Sequence, residues 1–210
     1  MADTFITIES PSEAVFTEKR SKFFAFAYPV RTAREALDIV ASLEKKYFDA
    51  RHVCWAYMLG FDRDNFRAND NGEPSGTAGR PILGQINSFG LTDVLVAVVR
   101  YFGGVKLGTP GLIVAYRTAA RMALEAATTV TRHITATVSF TYPYQVINDV
   151  MKVTRADGIR LVESTFDNTC AMTLEVNLDS MPRCMSALEN IDGLTLCNQP
   201  NNESINEQTS

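Results

Sequence analysis

The sequence predicts an α+β protein of two domains, and three features of the chain support this prediction. The run VLVAVV at 94–99 is apolar without alternation, which is typical of a strand covered on both faces. Amphipathic helical patterns stand on either side of it. From residue 134 onward, strand and helix patterns follow in the order βαββαβ, which is typical of a ferredoxin-like sandwich. We therefore place a first domain at 1–131 and a second at 132–199.

The first elements of the chain have clear local signals. EAVFTEKRSKFFAFAYPV predicts a β-hairpin near 13–30, with Lys19, Arg20 and Lys22 at its tip, where exposed charges are typical of a solvated turn. Thr32 and Glu35 form a T-x-x-E capping box at the start of an amphipathic helix that runs to about Phe48.

The next segment, RHVCWAYMLG at 51–60, predicts a strand with His52 and Cys54 on the same face. Such a pair could be a nucleophile with its base. A packed thiol beside a hydrogen-bonded imidazole is the more economical interpretation, because H-x-C alone specifies no chemistry.

Two glycine-rich turns flank the central strand at 94–99, and each leads into a helix. They are DNGEPSGTAGRP at 70–81 and RYFGGVKLGTPG at 100–111. The first amide groups of a helix have no partner within it and attract anions. In the first turn Ser75 or Thr77 is a candidate cap, and in the second turn we predict that Thr109 caps the helix and that Pro110 takes its first position. The sequence therefore predicts an anion-binding surface at two helix starts.

Asp70 and Glu73 are the acidic residues of the first turn. They could act as an acid/base pair, and the structural alternative is that they brace the loop or pair with Arg80 or Arg100. Farther along, Arg117 and Arg121 share one helix face with Glu125, which indicates an ion pair on an exposed surface.

The second domain contains six predicted elements and a polar tail. The elements are a strand at 134–141, a helix at 143–156, strands at 159–166 and 169–178, a helix at 180–191 and a strand at 194–198. The tail at 200–210 has little to bury, and we expect it to be disordered.

Composition limits the possible partners. Residues 1–133 carry 16 Lys and Arg against 14 Asp and Glu, whereas 134–210 carry 4 against 10, so a polyanion would bind the first domain. The four cysteines lack CxxC spacing and there are only two histidines, so we expect no metal site and no cofactor. The absence of a secretory signal and of a long apolar run predicts a cytoplasmic protein that does not contact a membrane.

Three blocks of the first domain resemble the defining blocks of the IMPACT/YigZ family, a group of small cytosolic proteins. They are ARHVCWAY at 50–57, DNGEPSGTAGRPIL at 70–83 and LTDVLVAVVRYFGGVKLGTPGLIVAYRTAA at 91–120. The resemblance implies a left-handed βαβ first domain, like that of a small-subunit ribosomal protein and of domain IV of elongation factor G. It also implies a ferredoxin-like second domain comparable to domain V of that factor.

The resemblance further implies a link to translation or to nucleic acid. The eukaryotic members regulate translation through an extra N-terminal RWD domain. This chain begins directly with the hairpin, so the partner of that domain is not carried over.

Our first hypothesis is a non-enzymatic module that binds RNA or the ribosome, linked to regulation of translation. Its predicted anion-binding residues are Gly76, Thr77, Gly79, Arg80, Arg100, Gly103, Gly104, Lys106, Thr109, Gly111 and Arg117. The alternative is an enzyme for a small phosphorylated or carboxylated substrate, with His52, Asp70 and Glu73 moving protons. A third hypothesis is a protein partner that binds the second domain.

Overall fold

A computed structural model describes residues 3–167 and 169–197. The chain divides into two compact units, one formed by residues 5–132 and the other by Asp3 and Thr4 together with the described residues from His133 onward. The α+β class and the two-domain organisation are confirmed. The tail for which we predict disorder lies outside the described residues.

The first part of the chain forms seven strands and three helices. In chain order these are β1 (Thr4–Ile8), β2 (Ser12–Glu18), β3 (Ser21–Pro29), α1 (Ala33–Lys46), β4 (His52–Leu59), β5 (Asn65–Asn69), α2 (Gly79–Ser88), β6 (Val94–Tyr101), α3 (Gly108–Glu125) and β7 (Thr129–His133). Strands β1 and β7 pair with each other in a small sheet, and β7 is an element that the sequence patterns did not predict.

Strand β6 lies at the centre of a five-stranded sheet with the order β2-β3-β6-β4-β5, as its apolar sequence predicts. Its neighbours β3 and β4 both run antiparallel to it. The side chains of Val94, Val96 and Val98 pack in the core that holds α2 and α3. Those of Leu95, Ala97 and Val99 pack in the core that holds α1. All six are fully buried, and each of the larger ones stabilises the fold by about 1.5–3 kcal/mol.

The predicted hairpin and capping box are both confirmed. Strands β2 and β3 are joined at Lys19 and Arg20, whose φ angles of 46° and 68° suit a tight hairpin turn. Thr32 accepts a hydrogen bond from the Glu35 amide at 3.1 Å. The Glu35 carboxylate in turn accepts one from the Arg31 amide at 2.8 Å, one residue before the cap.

The second part of the chain has the predicted ferredoxin-like topology. Its elements are β8 (Thr135–Tyr142), a 3-10 turn (Tyr144–Val146), α4 (Ile147–Thr154), β9 (Ile159–Phe166), β10 (Cys170–Asn177), α5 (Met181–Glu189) and β11 (Thr195–Leu196). The strand order is β11-β8-β10-β9. Alternate residues of β8 and β10 are buried, so one face of this sheet forms the core with α4 and α5.

Within the described residues, no helix is both long and apolar enough to span a membrane.

Candidate functional site

The start of α2 is occupied by a carboxylate of the chain itself. Asp70 accepts hydrogen bonds from the backbone amides of Gly76 at 2.8 Å, Ala78 at 2.9 Å and Gly79 at 2.8 Å. Burial alone would raise the Asp70 pKa, but these three donors outweigh it and lower the pKa below its ordinary value. An external anion, which we predicted here at Gly76 and Gly79, would therefore have to displace Asp70.

The predicted hydroxyl caps of both helices are wrong. Thr77 donates its hydroxyl to the Pro74 carbonyl at 2.6 Å, and the residue at the N-cap position of α2 is Ala78, whose side chain cannot cap the helix. Helix α3 begins at Gly108, so Thr109 and Pro110 lie inside its first turn and not at the predicted positions. Helix α3 thus starts before the predicted Thr109 cap, whereas α2 starts at Gly79, after the predicted Ser75 or Thr77 cap. Asp70 binds the first amides of α2, and Gly108 enters α3 with a φ of 70°.

The start of α3 differs from that of α2 because it is accessible. The residues Gly104, Lys106 and Thr109 are exposed, and the first turn of α3 holds no acidic side chain. Gly111 has a packing role, since an added Cβ would lie only 3.0 Å from Cβ of Leu107. The open amides of this helix start and the nearby ammonium of Lys106 are therefore the part of the predicted anion site that remains available.

The tip of the β2–β3 hairpin packs against the second glycine turn. An added Cβ on Gly103 would lie 2.0 Å from the carbonyl carbon of Arg20, so only glycine fits at this contact. The Gly103 amide also donates a hydrogen bond to Ser21 Oγ at 3.1 Å. The tip charges Lys19, Arg20 and Lys22 are exposed, and tertiary structure places them beside the glycine turn.

An open groove of about 540 Å³ lies between α2 and α3. Arg80 of α2 and Arg117 of α3 both line it, and both are exposed. The remaining lining residues are small or uncharged: Gly76, Pro81, Gly84, Gln85, Ser88 and Ile113. Arg121, four residues beyond Arg117, instead pairs with Glu125 at 3.8 Å, as the helical spacing predicts.

A buried ion pair joins the first glycine turn to the central strand. Glu73 accepts hydrogen bonds from Nη1 of Arg100 and from the Tyr116 hydroxyl at 2.9 Å. Glu73 is 8% exposed and Arg100 is 6% exposed. The predicted pairing of an acidic turn residue with Arg100 is thus confirmed. The Arg100 charge is directed at Glu73, and its guanidinium carbon lies 5.6 Å from the centre of the Phe23 ring and 5.8 Å from that of the Phe102 ring.

Cys54 belongs to the same buried network. Its sulfur lies 3.0 Å from the Asp70 carbonyl oxygen and 3.3 Å from the Tyr116 hydroxyl oxygen. Burial raises the pKa of the Cys54 thiol and that of the Tyr116 phenol. A thiol of this kind is a packed donor and not an activated nucleophile.

The three candidate proton-transfer groups do not converge. His52 Nδ1 donates to the Asn71 carbonyl at 2.7 Å, which leaves Nε2 3.9 Å from Glu73, beyond hydrogen-bond distance. The Asp70 carboxylate faces the amides of α2. The side chains of His52, Asp70 and Glu73 therefore make their hydrogen bonds to different partners and not to one another.

Sequence reasoning missed Tyr116 and Phe102. Tyr116 is fully buried on α3, and a single phenol within the apolar face LIVAY is a signal that could have marked it as a partner of a buried polar group. Phe102 is 47% exposed in the glycine turn, and no periodic pattern marks an exposed aromatic in such a turn.

These features define a two-domain α+β protein whose first unit has an arginine-lined groove between two helices and a buried carboxylate–guanidinium pair. Residues 19–124 match the Impact N-terminal domain. The chain belongs to the IMPACT family.

Known relatives agree with this assignment. The chain is 39% identical over 116 residues to IMPACT family member YvyE of Bacillus subtilis (strain 168), which covers 55% of this chain and 54% of that protein. It is 35% identical over 129 residues to IMPACT family member YigZ of Escherichia coli (strain K12), and this match covers 60% of this chain and 63% of that protein. The matched region thus spans little more than half the length of these relatives.

One solved structure resembles nearly the whole chain. It is a crystal structure of an hypothetical protein, with a TM-score of 0.75 and 25% sequence identity. The match covers 93% of this chain and 97% of that one.

Proposed function

We propose that this protein binds RNA through the groove between α2 and α3, as a module associated with the ribosome and with regulation of translation. The observation that carries the proposal is that Arg80 and Arg117, from two different helices, line one open groove. Guanidinium groups bind phosphate in a bidentate manner, and two of them in a groove can follow an RNA backbone.

Three further features support a polyanion as the ligand. The open amides at the start of α3 and the exposed Lys106 add positive potential at the beginning of the helix that carries Arg117. Lys19, Arg20 and Lys22 extend that potential along the hairpin. The family resemblance links the fold to domains that touch ribosomal RNA. Contacts of this kind fix position on a backbone and do not read sequence.

The side chains of His52, Asp70 and Glu73 hydrogen-bond to different partners, which favours binding over the enzyme alternative. A protein partner of the second domain and the cytoplasmic location stay predictions.

The experiment measures binding of a fluorescein-labelled RNA stem-loop by anisotropy between about 50 and 200 mM salt. The proteins are the full chain, Arg80→Ala, Arg117→Ala and Arg121→Ala. We expect the first two variants to bind more weakly and to lose about 0.7 to 0.9 from the log–log salt slope for each phosphate contact removed.

Arg121→Ala is the matched control because it removes the same charge from the same helix at a residue paired with Glu125. An affinity that is independent of salt, or equal losses in Arg117→Ala and Arg121→Ala, would contradict the proposal.

A further inference from the structure

Phe102 is an exposed aromatic ring held in a fixed place between β6 and α3. Phe102 is 47% exposed, whereas most residues of β6, the strand that ends just before it, are buried. The guanidinium carbon of the buried Arg100 lies 5.8 Å from the centre of the ring. Because the ring remains partly in water, it presents apolar surface that a ligand can cover.

The backbone next to Phe102 is anchored. Gly103 packs directly on the backbone of Arg20 and Ser21, where an added Cβ would lie 2.0 to 2.3 Å from their atoms. Its amide is bound to Ser21 Oγ at 3.1 Å. The ring therefore projects from a loop that is already ordered, which lowers the entropy cost of binding a partner.

Two basic residues belong to this loop and its contact. Arg20 lies at the Gly103 contact, and Lys106 follows Phe102 in the same glycine turn. Both cations are exposed, and neither forms an ion pair with a carboxylate of residues 3–167 or 169–197.

We propose that Phe102 is a stacking platform for an unpaired base of single-stranded RNA, with the flanking phosphates contacted by Arg20 and Lys106. An exposed aromatic ring among cations is the arrangement that binds single strands, because every unpaired base offers a π face and every nucleotide a phosphate. The bases of a duplex are already stacked on one another and cannot use the ring. This proposal rests on the RNA-binding function and specifies which form of RNA the protein binds.

The first experiment compares the full chain with Phe102→Ala for binding of single-stranded oligouridine, a blunt RNA duplex and inorganic polyphosphate. We expect Phe102→Ala to weaken binding of the single strand roughly 5- to 150-fold. Its salt slope should be unchanged, because stacking releases no counterions. Duplex and polyphosphate binding should be unaffected, since neither offers an unpaired base.

Phe66→Ala is the matched control. Phe66 is 55% exposed and pairs with Met58, which lies at the end of β4 opposite to His52 and Arg100. We expect this variant to bind oligouridine as the unmodified chain does. Equal losses in the two variants would overturn the proposal.

Phe102→Trp provides a second readout that does not depend on the alanine variant folding well. We expect it to retain affinity and its added indole fluorescence to be quenched by oligouridine, whereas the native Trp55 is only 4% exposed and should not respond. Unquenched fluorescence in a bound complex would overturn the stacking role.

The outcomes separate this inference from the proposed function. If Arg117→Ala weakens RNA binding but Phe102→Ala does not, RNA binding stands and stacking by Phe102 is wrong. If no RNA binds, both are wrong. Phe102-dependent binding to anionic phosphatidylglycerol vesicles, without any effect on oligouridine, would assign the ring to a membrane and overturn the proposal.

Discussion

The Arg100 guanidinium donates a hydrogen bond to the Glu73 carboxylate inside the N-terminal unit, between residues that lie far apart in the sequence. Tyr116 donates to the same carboxylate oxygen. One buried carboxylate thus ties the first glycine turn to both β6 and α3. The groove residues Arg80 and Arg117 extend from α2 and α3, and Glu73 lies in the turn that leads into α2.

Glu73→Gln should destabilise the first unit strongly. The neutral amide would leave the Arg100 charge buried without a counter-charge, and breaking a buried pair in this way costs about 3–5 kcal/mol. Urea unfolding followed by circular dichroism measures this loss. Glu125→Gln is the control, since its pair with Arg121 is about half exposed and should contribute less than about 1 kcal/mol. Equal effects of the two substitutions would show that the Glu73 pair is not buried in solution.

Asp70→Asn should change the acid stability of the protein. The Asp70 pKa is lowered in the fold, so the carboxylate stabilises the native state above the unfolded pKa of about 3.9, and this contribution is lost as pH falls through the native pKa. The asparagine NH2 group would face amide donors, which should cost about 0.5–2 kcal/mol at pH 7.

Urea unfolding of both proteins over a series of pH values tests this prediction. The difference in free energy of unfolding should shrink as the pH is lowered below about 4. Asp38→Asn, at an exposed pair with Arg34, should show little difference at any pH. If the difference in free energy of unfolding between Asp70→Asn and the unmodified protein stays constant with pH, the ionised Asp70 carboxylate does not stabilise the start of α2.

Gly79→Ala and Gly84→Ala should have opposite effects although both lie in α2. An added Cβ at Gly79 would approach the Asn69 backbone nitrogen to 2.6 Å, so the backbone must shift at a cost of about 1–3 kcal/mol. At Gly84 the Cβ meets no atom within 4 Å, and the better helix propensity of alanine should stabilise by up to about 1 kcal/mol. Thermal unfolding distinguishes the two, and a gain in stability for Gly79→Ala would contradict the close contact.

Cys54 should resist alkylation in the native protein. It is fully buried and its pKa is raised by that burial, so little thiolate is available to react. Cys170 and Cys184 are buried as well, whereas Cys197 is exposed. Mass spectrometry after iodoacetamide treatment should therefore find label at Cys197 alone, and at all four cysteines in denaturant. Rapid labelling of Cys54 in the native protein would instead support a nucleophilic role for its thiol.

Local sequence predicted most of the elements. The apolar run at 94–99 predicted a central strand, and Thr32 with Glu35 predicted the start of α1, because hydrophobic periodicity and caps act between near neighbours. Strand β7 escaped prediction because its residues are mostly exposed and its pairing with β1 is long-range. The cap of α2 was placed wrongly, because the partner of its first amides is Asp70, which lies outside the helix and several residues before it.

The sequence by itself determined the α+β class, the central strand and the concentration of glycine and positive charge around it, since these depend on composition and on short-range spacing. Only tertiary structure decided which charges remain available. In the tertiary structure Arg100 lies opposite His52 and pairs with Glu73, and both members of this ion pair are buried. Arg80 and Arg117 stay exposed and line one groove. The physical reason is that burial and pairing of a charge depend on contacts between distant segments, which no local pattern specifies.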